Sequence, residues 1–265
     1  MIGSNPALNE DTFSIPVSEL DNRRSVMTLG STVFKSLTLI GICIVCATIT
    51  WGLTTTTDGT GTMSVDMAKA MPWVFGGMIG GLVLALITIF KPQASPVTAP
   101  LYAAAEGLFL GAISAIYEAS FGSVEGTDPM FSGIVVQAVA LTMAVTFVML
   151  TLYGTRVIRV TEKLRAGIIA ATAAVFLVYL VSFLLSFAGI QIPYLHSNGP
   201  IGIGISLVIV GIAAFNLLLD FDLIERGVQG GAPKYMEWYA GFALLVTLVW
   251  LYLEILRLLS KLRSR

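Results

Sequence analysis

Glu106, Asp220, Asp222, Glu254 and Arg257 stand inside runs of apolar sequence where a charge is costly. Glu106 follows Leu101-Tyr102-Ala103-Ala104-Ala105 and precedes Gly107. Asp220 and Asp222 close the run 201–223, and Glu254 and Arg257 lie within Thr247 to Leu259. Ionisable groups at membrane depth face protein or a wet cavity rather than lipid, and they mark ion or proton pathways. Carboxylates in such a place suit two chemistries. Their oxygens are hard ligands for a cation such as calcium, and a facing pair can share one proton.

Asp220 and Asp222 come near the C-terminal end of their apolar run, where the negative end of the helix dipole and burial both add to the cost of a carboxylate. Two residues apart on a helix means opposite faces. One aspartate can therefore look into the bundle while the other serves as a cap or interface residue, and periodicity leaves open which. On the last apolar run Thr247, Trp250, Glu254, Arg257 and Lys261 fall at i, i+3, i+7, i+10 and i+14, a single stripe along one helix. Such a stripe faces the bundle interior. Glu254 and Arg257 can pair locally, as a gate or as a structural ion pair with a snorkelling basic end. Glu106 is the candidate partner for Arg257 or for a cation. Glu118 is expected to be solvated near the external end of its helix, and His196 to be a solvated loop residue.

Of the 265 residues, 56% are hydrophobic and 12% are charged. A soluble domain averages roughly 25% charged residues, so half that fraction indicates a polytopic membrane protein. The net charge of −1 offers no basic face for nucleic acid. About 20 apolar residues cross a bilayer, and seven runs qualify: 33–54, 72–90, 98–121, 131–153, 166–189, 201–223 and 238–260. The organisation is a polar N-terminal tail, 1–30, and one seven-helix membrane domain, 31–262. The tail lacks the basic start and apolar core of a signal peptide.

Pro72 is read as the first-turn residue of the second helix. Gly76, Gly77, Gly80 and Gly81 form two overlapping small-xxx-small pairs there, and Gly107 and Gly111 form another in the third helix; all are packing devices. Cys43 and Cys46 lack companion ligands and read as small membrane-helix residues. With the N-terminus inside, the cytoplasmic segments collect Arg23, Arg24, Lys35, Lys91, Arg156, Arg159, Lys163, Arg165, Arg226 and Lys234, and the external loops hold only Lys69. Seven crossings then put Arg257, Lys261, Arg263 and Arg265 toward the outside, against the same rule.

Enzymatic chemistry is not expected. An intramembrane serine protease needs a basic partner within the bundle, and the only histidine is in a loop. An aspartyl protease needs aspartates on two helices, and the deep ones share one. A retinal protein needs a lysine in the last helix, and 238–256 has none. No metal-ligand spacing or phosphate-cradling loop is present, so no cofactor is expected and calcium enters only as a permeant ion.

The polar tail, the seven runs, the Phe221-Asp222 step and Leu251-Tyr252-Leu253-Glu254 together resemble the Bax inhibitor-1/YccA family (the TMBIM group), in a branch found in bacteria. The resemblance implies an all-α bundle with the last helix central, in the inner membrane with the N-terminus cytoplasmic. It implies a pH-sensitive calcium leak pathway in which an aspartate of helix six pairs with an acid of helix seven. Asp222 or Asp220 takes the first position and Glu254 the second. A rival register puts Thr247 at the second position and matches Arg257 to a family arginine that latches onto an acid of helix two. Helix two has no acid here, and Glu106 is the nearest substitute. The alternative role is a non-conducting regulator that binds another membrane protein such as a protease, through the tail and the basic 154–165 loop. A proton-coupled transporter ranks last, as internal inverted repeats are not visible.

Overall fold

The computed structural model describes residues 26–57, 63–122, 133–187, 189 and 197–264. Most of the tail, with Arg23 and Arg24, and the loop residue His196 lie outside the described residues. Seven long helices follow one another among the described residues. α1 is Leu29–Thr54, α2 Met67–Phe90, α3 Ser95–Phe121 and α4 Ile134–Gly154. α5 is Glu162–Phe187, α6 Pro200–Gln229 and α7 Met236–Arg263. A small antiparallel hairpin, β1 (Thr55–Thr57) with β2 (Met63–Val65), links α1 to α2. A single 3-10 turn, Pro92–Ala94, turns α2 into α3. The shortest helix, α4, has 21 residues, about 31 Å at 1.5 Å per residue, which matches a hydrocarbon layer of roughly 30 Å.

Six of the seven helices are longer than their apolar runs, because polar caps and turns extend them beyond the lipid-soluble part; α4, with 21 residues, is shorter than its run 131–153. α2 starts at Met67, where Asp66 Oδ1 accepts the backbone N–H of Ala68 at 3.1 Å, so Pro72 stands inside the helix and not at its first turn. The tail also ends earlier than residue 30. Val26 pairs with Pro233, Met27 N–H donates to Ala232 O at 2.7 Å, and α1 begins at Leu29. α6 runs to Gln229, about two turns past Asp222, so neither aspartate is at its end.

α7 is the axis. It packs against α6, α1, α3 and α4, whereas α5 rests chiefly on α6. More than half of the apolar stretch of α7 is buried, 56%, against 11% for α5. Large apolar side chains such as Phe34, Phe90, Phe147, Phe176 and Phe183 point outward from the other helices. So wide an apolar exterior fits lipid as its solvent.

The tightest approaches are glycine contacts. A Cβ on Gly107 would lie 2.3 Å from Cys43 O, and one on Gly111 would lie 2.2 Å from Ala47 O, so α3 meets α1 backbone to backbone. A Cβ on Gly77 would lie 2.8 Å from Ala105 O and from Phe109 of α3, while Gly76 faces open space. One of the two overlapping glycine pairs in α2 is therefore the contact and the other is not. Cys43 and Cys46 form the wall that receives Gly107.

Candidate functional site

The acids singled out by sequence fall into three separate places. Asp222 faces α5. Its carboxylate is paired with Arg165 and with Arg226 Nε at 2.8 Å, and Glu162 lies 3.6 Å from both arginines. One turn further along α6, Glu225 accepts from Arg156 at 2.9 Å, from Gln229 at 3.0 Å and from the Tyr153 hydroxyl. A cavity of about 230 Å³ opens beside this network. Each carboxylate here is matched by guanidinium, which makes a charge-balanced clamp of the ends of α4 and α6 and the start of α5.

Asp220 points the other way, as the two-residue spacing requires. It lines a cavity of about 550 Å³ between α2, α3, α6 and α7, together with Glu106, Tyr102 and Thr247. Asp220 Oδ2 is fully enclosed and has no hydrogen-bond partner among the described residues, while the carboxylate meets the Thr247 hydroxyl. That hydroxyl also donates to Ala243 O, at a long 3.3 Å. Glu106 bonds the hydroxyl of Tyr102 one turn before it, and its Oε1 would be 2.8 Å from a Cβ placed on Gly81. Gly81 therefore makes room for this carboxylate. No lysine, arginine or histidine is among the residues described as lining the cavity.

Glu254 is in neither place. It is almost fully buried, and both its oxygens accept from the Tyr179 hydroxyl of α5, at 2.9 and 3.1 Å. Arg257 Nη1 reaches the same hydroxyl at 2.5 Å and Glu254 Oε1 at 3.2 Å, and its guanidinium lies over the Tyr179 ring. The pairing of Asp220 or Asp222 with Glu254 is corrected on this point. The residue of α7 opposite Asp220 is Thr247, as in the rival register, and Glu254 is two turns, about 10 Å, further along. Arg257 is likewise taken up by Glu254 and Tyr179 and not by Glu106.

Two further expectations change. Glu118 Oε2 accepts the backbone N–H of Val135 at 3.0 Å, so it caps the start of α4 and is only half exposed. Lys261 is buried, and donates to Gly202 O at 3.1 Å and Ser206 Oγ at 2.9 Å.

Sequence reasoning missed Tyr179, Arg165 and Glu237. The Glu237 side chain is wholly buried and accepts from Lys35 at 2.5 Å, Ser31 Oγ at 2.8 Å, Thr28 N–H at 2.9 Å and Lys234 at 3.0 Å. It sits one residue before the apolar run and three after Lys234, a pattern that reads as a solvated helix start. A tyrosine amid Phe176-Leu177-Val178 was the available signal for Tyr179.

Two comparisons bear on what this arrangement is for. A sequence profile described as Bax inhibitor 1 like matches residues 5–264. No curated protein matches the chain.

Proposed function

As the chain belongs to the Bax inhibitor 1 like family, we propose that its channel-like or regulatory role in the membrane is that of a cation leak pathway, with calcium as the ion. Conductance follows protonation of Asp220 and Glu106. The observation that carries this reading is the cavity between α2, α3, α6 and α7, which two carboxylates line without a basic side chain among the lining residues. The Asp220 carboxylate stands in a low-dielectric place on the cavity wall, with Oδ2 fully enclosed. With Glu106 and the hydroxyls of Thr247 and Tyr102 it forms the all-oxygen surroundings that calcium prefers. Acidic linings are a usual device of cation selectivity.

The titratable groups that face Asp220 across the cavity are Glu106, Tyr102 and Tyr239. A proton on either acid removes one of two like charges, weakens the hold on a divalent ion and alters the leak. Asp222 and Glu254, matched by arginines and Tyr179, serve as fixed ion pairs that tie α5 to α6 and α7. The same reading places the starts of α1, α3, α5 and α7 on the cytoplasmic side of the inner membrane, by the excess of Lys and Arg at that end.

The test is calcium uptake into proteoliposomes between about pH 6 and 8, a window in which buried carboxylates titrate. Wild type is expected to show pH-dependent uptake. Asp220→Asn and Glu106→Gln are expected to lose the dependence and Glu254→Gln to keep it. No uptake by folded wild type at any pH would overturn the leak reading in favour of the non-conducting regulator. Loss of the pH profile in Glu254→Gln alone would return the sensor to the last helix.

A further inference from the structure

The cavity that holds Asp220 and Glu106 has a side entrance. Leu82 and Ile89 of α2 line it and are 59% and 49% exposed, and Met78 and Val246 are exposed apolar side chains on its two flanks. These are surfaces that the acyl chains of the bilayer would meet. α2 packs along α3 and has no comparable contact with α7, so the gap between α2 and α7 is the mouth. Glu106 is eleven residues into α3, about 16 Å from its start, and so lies near mid-depth of the hydrocarbon. The entrance is therefore to the lipid interior and not to the headgroup layer.

Inside, the chemistry has two parts. One is apolar and aromatic, with Phe242 stacked edge-on against Tyr102 at 4.8 Å between ring centres, and Tyr239 beside it. The other is anionic, with Asp220 and Glu106 lining the same space. A volume of about 550 Å³ lies within the roughly 300–1,000 Å³ that holds a drug-sized molecule.

We infer that this cavity binds a membrane-dissolved organic amine, a ligand with one protonated nitrogen and an apolar, aromatic body. The ammonium N–H donates to the Asp220 carboxylate where it lines the cavity, a charge-assisted bond. Glu106 and the faces of Tyr102 and Phe242 complete a cation-binding surface. The apolar body occupies the groove between Leu82, Ala85 and Val246 and reaches the entrance. A metal ion would leave this apolar half of the cavity unused, and an acidic lipid would bring a like charge to Asp220 and Glu106. The inference rests on the cavity assigned above to cation leak, and its ligand would compete with the permeant ion for the same carboxylates.

The experiment measures tritiated imipramine, a tertiary amine on a tricyclic body, bound to the full chain in nanodiscs near neutral pH after subtraction of empty nanodiscs. Saturable binding is expected, weakened about tenfold or more in Asp220→Asn and in Glu106→Gln, and unchanged in Glu254→Gln. Ala85→Phe, which fills the groove and leaves both acids in place, is expected to abolish it. Iminodibenzyl, the same rings without the amine, is expected to compete poorly. Absence of saturable binding to wild type would overturn the inference, as would equal binding by both acid variants. The leak reading is judged apart from it. Calcium uptake without amine binding overturns the amine site alone, and amine binding without uptake overturns the leak alone. Block of uptake by imipramine is the result expected if both hold.

Discussion

Removing the charge of Glu237 should be among the most destabilising single changes in the chain. The carboxylate is completely buried, and Lys35, whose side chain is only 16% exposed, lies 2.5 Å from it. Lys234 at 3.0 Å is 43% exposed, so solvent screens much of its share. In Glu237→Gln the amide oxygen keeps the bond from the Thr28 N–H and the NH2 group can donate to Ser31 Oγ, but Lys35 is left as a nearly enclosed ammonium without its counter-ion. Breaking a buried pair from one side costs about 3–5 kcal/mol. The loss falls where α1 and α7 begin side by side, so it should loosen the contact of the central helix with α1. Unfolding free energy in mixed micelles is the assay, with Lys35→Met and the double variant completing a cycle. The double variant should be less destabilised than the sum of the singles by about 1–3 kcal/mol, because each single leaves an orphan that the other removes. A Glu237→Gln protein within about 0.5 kcal/mol of wild type, or an additive cycle, would refute the claim that this pair is buried and coupled.

Gly107→Leu should sharply reduce monodisperse protein, because its Cβ alone would lie 2.3 Å from Cys43 O, whereas Gly76→Leu, with nothing within 4 Å, should behave as wild type in size-exclusion chromatography. Overpacking of this kind costs about 1–3 kcal/mol or more, here against backbone that cannot move without parting α1 from α3. Asp222→Asn should lower unfolding free energy by about 1–2 kcal/mol, less than Glu237→Gln because Arg226 is about half exposed and screened. It should leave the pH profile of calcium uptake as in wild type, since Asp222 faces α5 and not the cavity, and a lost profile would make it the sensor.

The helices were legible because each crossing needs a long apolar run, and little else in a chain produces one. Their ends were less so. Leu223 to Gln229 looks too polar for a membrane helix, yet Glu225, Arg226 and Gln229 all find partners on that surface and the helix continues. Contacts local in sequence could be anticipated: Glu254 with Arg257, three apart, is the clearest. The presence of Glu106 and Asp220 on the wall of one cavity could not. It depends on the relative heights of α3, α6 and α7, which are set by non-local packing such as Gly77 on α3 and Gly107 and Gly111 on α1. The register of Glu254 failed for the same reason. An acid in a family-like run suggested a partner across the bundle, but seven residues of rise separate it from the level of Asp220. Thr247, a modest residue whose kind commonly bonds its own helix backbone, is what stands there.

The basic residues at the end of α7 posed a conflict for orientation, and their partners remove most of it. Arg257 is bound to Glu254 and Tyr179 within the bundle. Lys261 is buried against Gly202 O and Ser206 near the start of α6. Arg263 donates to Phe121 O at 2.6 Å and Gly122 O at 3.3 Å, the carbonyl end of α3, where a helix dipole favours a cation. Charges that complete the packing of a helix end are poor votes on topology, because the rule describes free lysines and arginines flanking a span. Without those three, the bias toward the end that holds Lys35, Lys91, Arg156, Arg159 and Lys163 meets little opposition. α7 can then cross completely, as its contacts from Glu237 at one end to Arg263 at the other require, with its C-terminus on the face opposite the start of α1.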